Sequence, residues 1–163
     1  MSARATADEW TAAAVAITSE LSEGMLGLGE HAVVGPVERP DNELCGAYLP
    51  MHTSDGAFYL GILSDHTGIR TLANAMLGEE PDAEIADAEL VDAVGEVANI
   101  VGGQMKCRVE SGSPAQLGLP IFAWSPVETP KGAVQQAVQI MLGAVPATVV
   151  VVWPAPSLAM KKD

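Results

Sequence analysis

The stretch "LVDAVGEVANIVGGQMK", residues 90–106, decides the fold because its residues alternate between two faces of one helix. At roughly 100° per residue, Asp92, Glu96, Asn99 and Gly103 fall on one stripe about 60° wide. The opposite face is apolar and collects Val94, Val97, Ala98, Val101 and Met105. We therefore expect an amphipathic helix, running from Ala83 to about Val109, that packs on a sheet and turns its polar stripe to solvent.

Three glycines lower the stability of this helix, since each glycine in a helix interior is about 1 kcal/mol less favourable than alanine. Gly95 and Gly103 lie beside the polar stripe, where a missing side chain lets the backbone of another protein come close. Gly102 lies towards the edge of the stripe and is interpreted as a packing residue. Asn99 is also a poor helix former. A merely solvated helix face is the alternative interpretation, and the glycines together with Asn99 weigh against it.

Length and composition predict one domain over residues 1–163, with a core at about 10–154 and a frayed tail at 155–163. The N-terminus does not have the pattern of a signal peptide, and no apolar stretch reaches the ~20 residues of a membrane span. Cys45 and Cys107 lie far apart in the sequence and are interpreted as reduced thiols. We therefore expect a cytoplasmic protein that does not enter membranes.

The charge balance is strongly acidic, with 21 carboxylates against 8 lysines and arginines. Such a surface repels phosphate backbones and anionic lipids, so we expect no binding to nucleic acid or to membranes. The charge is explained either by solubility or by attraction to a partner with basic side chains, and charge alone does not choose between them. His31, His52 and His66 show no metal-ligand spacing, so no metal site is expected.

The order of the remaining elements predicts an α+β fold. A helix is expected in residues 8–28, followed by a hairpin of "NELCGAYLPM" and "GAFYLGILS" joined at Asp55-Gly56. A helix closed by Gly78 precedes the long helix. Strands then follow in "AQLGLPIFAW", "GAVQQAVQIML" and "ATVVVVWP", the second of which would also suit a short helix. The prediction is a single α/β domain in which a mostly antiparallel sheet carries helices on one side.

The pattern D-x-x-x-E-x-x-N-x-x-x-G, formed by Asp92, Glu96, Asn99 and Gly103, resembles the signature helix of the CheC/CheX/FliY family of chemotaxis phosphatases. Its context is most similar to CheX, and the order of elements is similar over roughly residues 10–154. The resemblance implies hydrolysis of the aspartyl phosphate of a phosphorylated CheY-type response regulator. It also implies that this chain needs no cofactor, because the regulator supplies the Mg²⁺.

By this resemblance, Asn99 and Glu96 are the catalytic residues. An amide can both accept from and donate to one water molecule, so Asn99 would orient the attacking water. Glu96 would pair with the active-site lysine of the regulator. Asp92 would add a supporting polar contact, and Gly95 and Gly103 would permit close docking.

The family often carries an internal pseudo-repeat, and the first helix matches the same spacing with Ala16, Glu20, Glu23 and Gly27. Glu20 matches the glutamate, but Ala16 replaces the aspartate and Glu23 replaces the asparagine. A carboxylate cannot donate to the water as an amide does. We interpret this helix as a degenerate copy; a chance match is the alternative.

Two further expectations follow from the resemblance. The rival to a phosphatase is a non-catalytic adaptor or switch module that binds a phosphorylated receiver domain. A homodimer formed through the sheet is also expected, with "TVVVVWP", residues 148–154, as its edge. The same apolar run suits a central buried strand equally well.

Overall fold

The structure is a computed structural model that describes residues 6–54, 56–109 and 115–154. The tail predicted at residues 155–163 and Asp55 of the predicted turn lie outside these ranges. Within them, three helices and seven strands follow one another as α1 (Ala7–Glu23), β1 (His31–Val37), β2 (Cys45–Thr53), β3 (Gly56–Ser64), α2 (His66–Leu77), α3 (Asp87–Arg108), β4 (Gln116–Leu117), β5 (Ile121–Ala123), β6 (Val134–Leu142) and β7 (Val145–Trp153).

The seven strands form one antiparallel sheet in the order β1-β6-β7-β3-β2-β4, and β5 pairs with β2 beside β4. Side chains alternate between its faces, so Leu60 and Val149 pack with the helices while Tyr59 and Val150 belong to a smaller cluster on the other face. The loop residue Val127 covers this second face, and its N–H donates to the Tyr48 hydroxyl at 3.1 Å. The predicted α+β class, with helices on one side of an antiparallel sheet, is confirmed.

The two halves of the chain repeat the same order, in which a helix is followed by one or two short strands and then by a hairpin. The first half is α1, β1, β2 and β3, and the second is α3, β4, β5, β6 and β7. Strands are exchanged between the halves, because β1 pairs with β6 while β4 and β5 pair with β2. This arrangement matches the internal pseudo-repeat predicted from α1 and α3.

Several boundaries differ from the sequence-based expectations. Helix α3 begins at Asp87 rather than Ala83, because the buried amide of Asn74 donates to the carbonyls of Pro81 at 3.0 Å and Ala83 at 2.9 Å. These bonds attach the preceding loop to α2. "AQLGLPIFAW" forms two short strands, β4 and β5, rather than one, since Pro120 has no N–H to offer a ladder.

Two further differences concern the edges of the sheet. Strand β1 was not predicted, because Gly35 and Pro36 are typical of a turn. It pairs along only one side, with β6, and its register shifts between Val33 and Gly35. Strand β7 lies between β6 and β3, so it is the central buried strand and not an edge for a dimer. Within the described ranges, no helix combines the length and the apolar character needed to cross a membrane.

Candidate functional site

Helix α3 positions the polar stripe by burying the opposite face. Its apolar face is fully buried, as expected, at Val94, Val97, Ala98, Val101 and Met105. These side chains pack mainly on α2, β2 and α1. Asp92 and Glu96 are exposed, and Asn99 is half-buried. The packing therefore holds the stripe rigidly at the surface, and the burial of Asn99 limits the rotamers that its amide can adopt.

The stripe forms one wall of a groove of about 300 Å³. Asp92, Glu96 and Asn99 line it from α3, while Pro120 and Phe122 line it from the segment around β5. One wall is thus polar and the other apolar. This combination suits a macromolecular surface that carries both a charged group and apolar side chains.

The three polar side chains of the stripe have no hydrogen-bond partner or ion-pair partner among the described residues. Asp92 and Glu96 therefore have no compensating cation in this part of the chain, and the amide of Asn99 keeps its donors and its acceptor available. In a chain with an excess of acidic residues, such carboxylates repel anions and attract a basic group. The arrangement can receive a cation beside Glu96 while the amide of Asn99 binds a water molecule.

The three glycines of α3 differ in what surrounds them. A Cβ atom at Gly103 would meet no atom of the described residues within 4 Å, whereas one at Gly102 would lie 2.3 Å from Leu49 Cδ2. Gly102 is therefore the packing residue that the sequence indicated. Gly95 is buried, and its Cβ would lie 3.4 Å from Cβ of Pro120. A side chain at Gly95 would therefore make an ordinary contact with Pro120 of the same chain, so the open position beside the stripe is Gly103. Direct contact of either glycine with a partner stays a prediction.

The family model described as "Chemotaxis phosphatase CheX" matches residues 53–139, just over half of the chain and all of α3. The chain belongs to the CheX family. None of the curated proteins matches it.

Solved structures of CheX-like proteins have the same fold. The chain is 20% identical to chemotaxis protein CheX from Vibrio vulnificus, with a TM-score of 0.70 over 88% of this chain and 97% of that one. It is 18% identical to CheX in a complex of CheX, CheY, BeF3 and Mg²⁺ from Borrelia burgdorferi, with a TM-score of 0.65 over 89% and 94%. FliY from Thermotoga maritima is 14% identical, with a TM-score of 0.59 over 91% and 90%. These likenesses show the fold.

In this CheX-family chain, the acids of α1 are already paired. Arg108 Nη2 and Nη1 donate to the two carboxylate oxygens of Glu20 at 2.9 and 3.0 Å, and this bond lowers the pKa of Glu20. The His31 N–H donates to Glu23 at 3.1 Å and the His31 ring also contacts it, which lowers the pKa of Glu23. Ala16 and Gly27 present no functional group. The copy on α1 therefore differs from α3 both in residue type and in the availability of its charges.

The apolar wall opposite the stripe was not predicted from the sequence. Leu119, Pro120, Phe122 and Trp124 belong to a segment that was predicted only as a strand. Leu119 and Trp124 are exposed, although both are large and apolar. Pro120 was the available signal, because a proline inside an apolar run argues against a regular central strand. Nothing in the local sequence indicated that this segment would lie beside α3.

Proposed function

We propose that this CheX-family protein hydrolyses the aspartyl phosphate of a CheY-type response regulator and that α3 inserts into the regulator's active site. The observation that carries the proposal is the groove in which the half-buried amide of Asn99 lies one turn from the exposed carboxylate of Glu96, which none of the described residues pairs. Residues three apart on a helix are neighbours, with Cβ atoms about 5–6 Å apart. One docked helix can therefore present both groups to the same active site.

The reaction requires few catalytic groups from this chain, because an acyl phosphate is reactive and the regulator supplies the aspartate, the Mg²⁺ and a lysine. Asn99 accepts one hydrogen bond from a water molecule and donates another, which holds the water in line with the phosphorus. The water oxygen attacks phosphorus, and the bond between phosphorus and the aspartyl oxygen breaks. The aspartate leaves as a carboxylate, and both protons of the water remain with the released phosphate.

Glu96 and Asp92 act in docking within this proposal. Glu96 pairs with the lysine of the regulator and thereby fixes the register in which Asn99 approaches the phosphate. Asp92, one turn away, adds a second negative charge that favours a basic partner surface. Gly103 leaves space for the backbone of the partner, and Gly95 lines the groove without a side chain, which also favours close docking. Support for the partner class comes from the CheX relative whose structure contains CheY, BeF3 and Mg²⁺.

The proposal places no cofactor and no metal on this chain, and it assigns the Mg²⁺ to the regulator. It also places the protein in the cytoplasm as a homodimer. Since β7 is paired on both sides, the dimer would use a surface other than the edge of that strand. Analytical ultracentrifugation tests this part, and a monomer over the whole concentration range would contradict it.

The experiment that tests the function follows the decay of a phosphorylated receiver domain with Mg²⁺, alone and with catalytic amounts of this protein. We expect faster decay, and a loss of about a hundredfold or more in rate for Asn99→Ala, since it loses the positioned water. Glu96→Ala is expected to weaken receiver binding as well as activity. Gln104→Ala is the matched control, because Gln104 is an exposed amide on α3 outside the stripe.

The outcomes separate the alternatives. Full activity of Asn99→Ala would refute the role given to Asn99, while its loss beside an active Gln104→Ala supports it. Measurable binding with unchanged decay would favour the adaptor. Failure of the unmodified protein to bind any phosphorylated receiver domain would refute both functions.

A further inference from the structure

The groove continues outward into an exposed apolar surface, the apolar flank, formed by Pro120, Phe122 and Trp124. Pro120 and Phe122 line the groove itself. Trp124 is 48% exposed, so it presents a large apolar surface to solvent. Pro120 and Phe122 therefore face the polar stripe across the groove, and Trp124 adjoins the groove through its ring contact with Phe122.

The side chain of Trp124 is held in place although it is exposed. Its ring meets Phe122 edge to face, with centroids 4.7 Å apart, and stacks on His66 with centroids 5.9 Å apart. Aromatic pairs in these geometries are favourable beyond their buried area. Trp124 therefore loses little rotamer freedom when a partner covers it, and such pre-organisation improves affinity.

The polar stripe and the apolar flank differ in what they can contribute to binding. Exposed carboxylates such as Asp92 and Glu96 steer association and set the register, but exposed ion pairs add little net affinity. Binding energy at protein interfaces is concentrated in a few residues, and tryptophan is enriched among them. A partner that engages the stripe must cover the neighbouring apolar wall, because Phe122 lines the same groove as Asn99.

We infer that the apolar flank is the docking surface for the receiver domain and that Trp124 is its main anchor. This inference rests on the proposed function and deepens it, since it states what chemistry the partner has beside its phosphoaspartate. The receiver surface has to carry a cation opposite Glu96 and an apolar patch opposite Trp124. The unpaired carboxylates of the stripe and the apolar flank select together for such a mixed surface. Trp124 is a docking residue in this scheme and does not touch the reacting atoms.

The test measures KM and kcat for a phosphorylated receiver domain with Trp124→Ala. We expect KM to rise about tenfold or more for Trp124→Ala, as for an anchor residue, while kcat stays within about twofold. Trp124→Tyr should recover part of the loss, because it keeps an aromatic ring against Phe122. Val34→Ser is the matched control, since Val34 is 61% exposed on β1 at the other end of the sheet.

Thermal denaturation and circular dichroism of each variant show whether the fold is kept. An unchanged KM for a folded Trp124→Ala would overturn the inference and leave the phosphatase intact. A fall in kcat at unchanged KM would also overturn it, because it would indicate a disturbed Asn99 rather than lost docking. If the unmodified protein binds without hydrolysis, the same comparison is made with the dissociation constant, and a tenfold weakening supports the inference. Absence of binding by the unmodified protein would overturn both the inference and the function.

Discussion

Gly103 provides a test in which the stability of the protein and its docking change in opposite directions. A Cβ atom at Gly103 would meet nothing within 4 Å, so Gly103→Ala introduces no clash within the described residues. In a helix interior, alanine is more favourable than glycine by about 1 kcal/mol. Gly103 lies in the interior of α3, five residues before the helix ends at Arg108. The full gain in helix stability is therefore expected. We therefore expect Gly103→Ala to be about 1 kcal/mol more stable.

The stability assay is thermal and chemical denaturation. For a chain of this length, about 1 kcal/mol raises the melting temperature by roughly 2–4 °C. The activity assay is the decay of the phosphorylated receiver domain, in which we expect a higher KM. The reason is that the new methyl group projects from the stripe into space that the partner backbone needs. A more stable protein that docks less well is the expected result.

Gly102→Ala is the matched control one residue earlier. Its Cβ would lie 2.3 Å from Leu49 Cδ2 and 3.1 Å from Met51 Sδ, and both of those side chains are fully buried. Overpacking of this kind costs about 1–3 kcal/mol, which cancels or exceeds the gain in helix propensity. A loss of stability in Gly103→Ala would refute the open space at that position. A stabilised variant with unchanged KM would refute the assignment of Gly103 to partner clearance.

Two further predictions concern the pH dependence of stability. The hydrogen bond from Arg108 lowers the pKa of Glu20 below its ordinary value of 4.5. Their pairing therefore stabilises the fold above that pH, and this stabilisation is lost as the pH falls through the lowered pKa. The melting temperatures of the unmodified protein and of Arg108→Gln should therefore converge in acid. Burial raises the pKa of Tyr48 from 10.0 to about 12, so stability should fall between these pH values, and Tyr48→Phe should abolish that fall. Tyr48→Phe should also cost about 1–3 kcal/mol in a urea titration at neutral pH, because the N–H of Val127 loses its acceptor.

The sequence predicts the central part of the fold, because its strands are long and apolar. β2, β3 and β7 each span nine residues and are mostly buried, so their composition alone indicates strands. β6 also spans nine residues, but its pattern suits a short helix as well, so its strand conformation depends on pairing with β1 and β7. Strand β1 was not predicted because its first four residues are all exposed and therefore show no alternation of buried and exposed positions. Gly35 and Pro36 also interrupt it. Its strand conformation depends on pairing with β6, about a hundred residues later in the chain, and local patterns carry no information about such pairing.

The site could be predicted to the extent that it depends on helical periodicity. Periodicity places Asp92, Glu96 and Asn99 on one stripe and also identifies the buried face. The position of Pro120 against Gly95 depends on the path of a loop, which periodicity does not describe. The pairing of Glu20 with Arg108 joins residues 88 apart in sequence, so a list of matching residues could not reveal it.

The pairing of Glu20 with Arg108 explains why two similar helices present different surfaces to a partner. Arg108 is the last residue of α3, so the helix that carries the candidate site also supplies the cation that pairs with Glu20 of α1. A partner lysine that approached α1 would have to displace a bidentate guanidinium, which is a stronger carboxylate ligand than an ammonium group. The same lysine meets no competing cation from the described residues at Glu96. We therefore expect the basic partner of the proposed function to bind at α3, even though both helices keep a glutamate at the corresponding position.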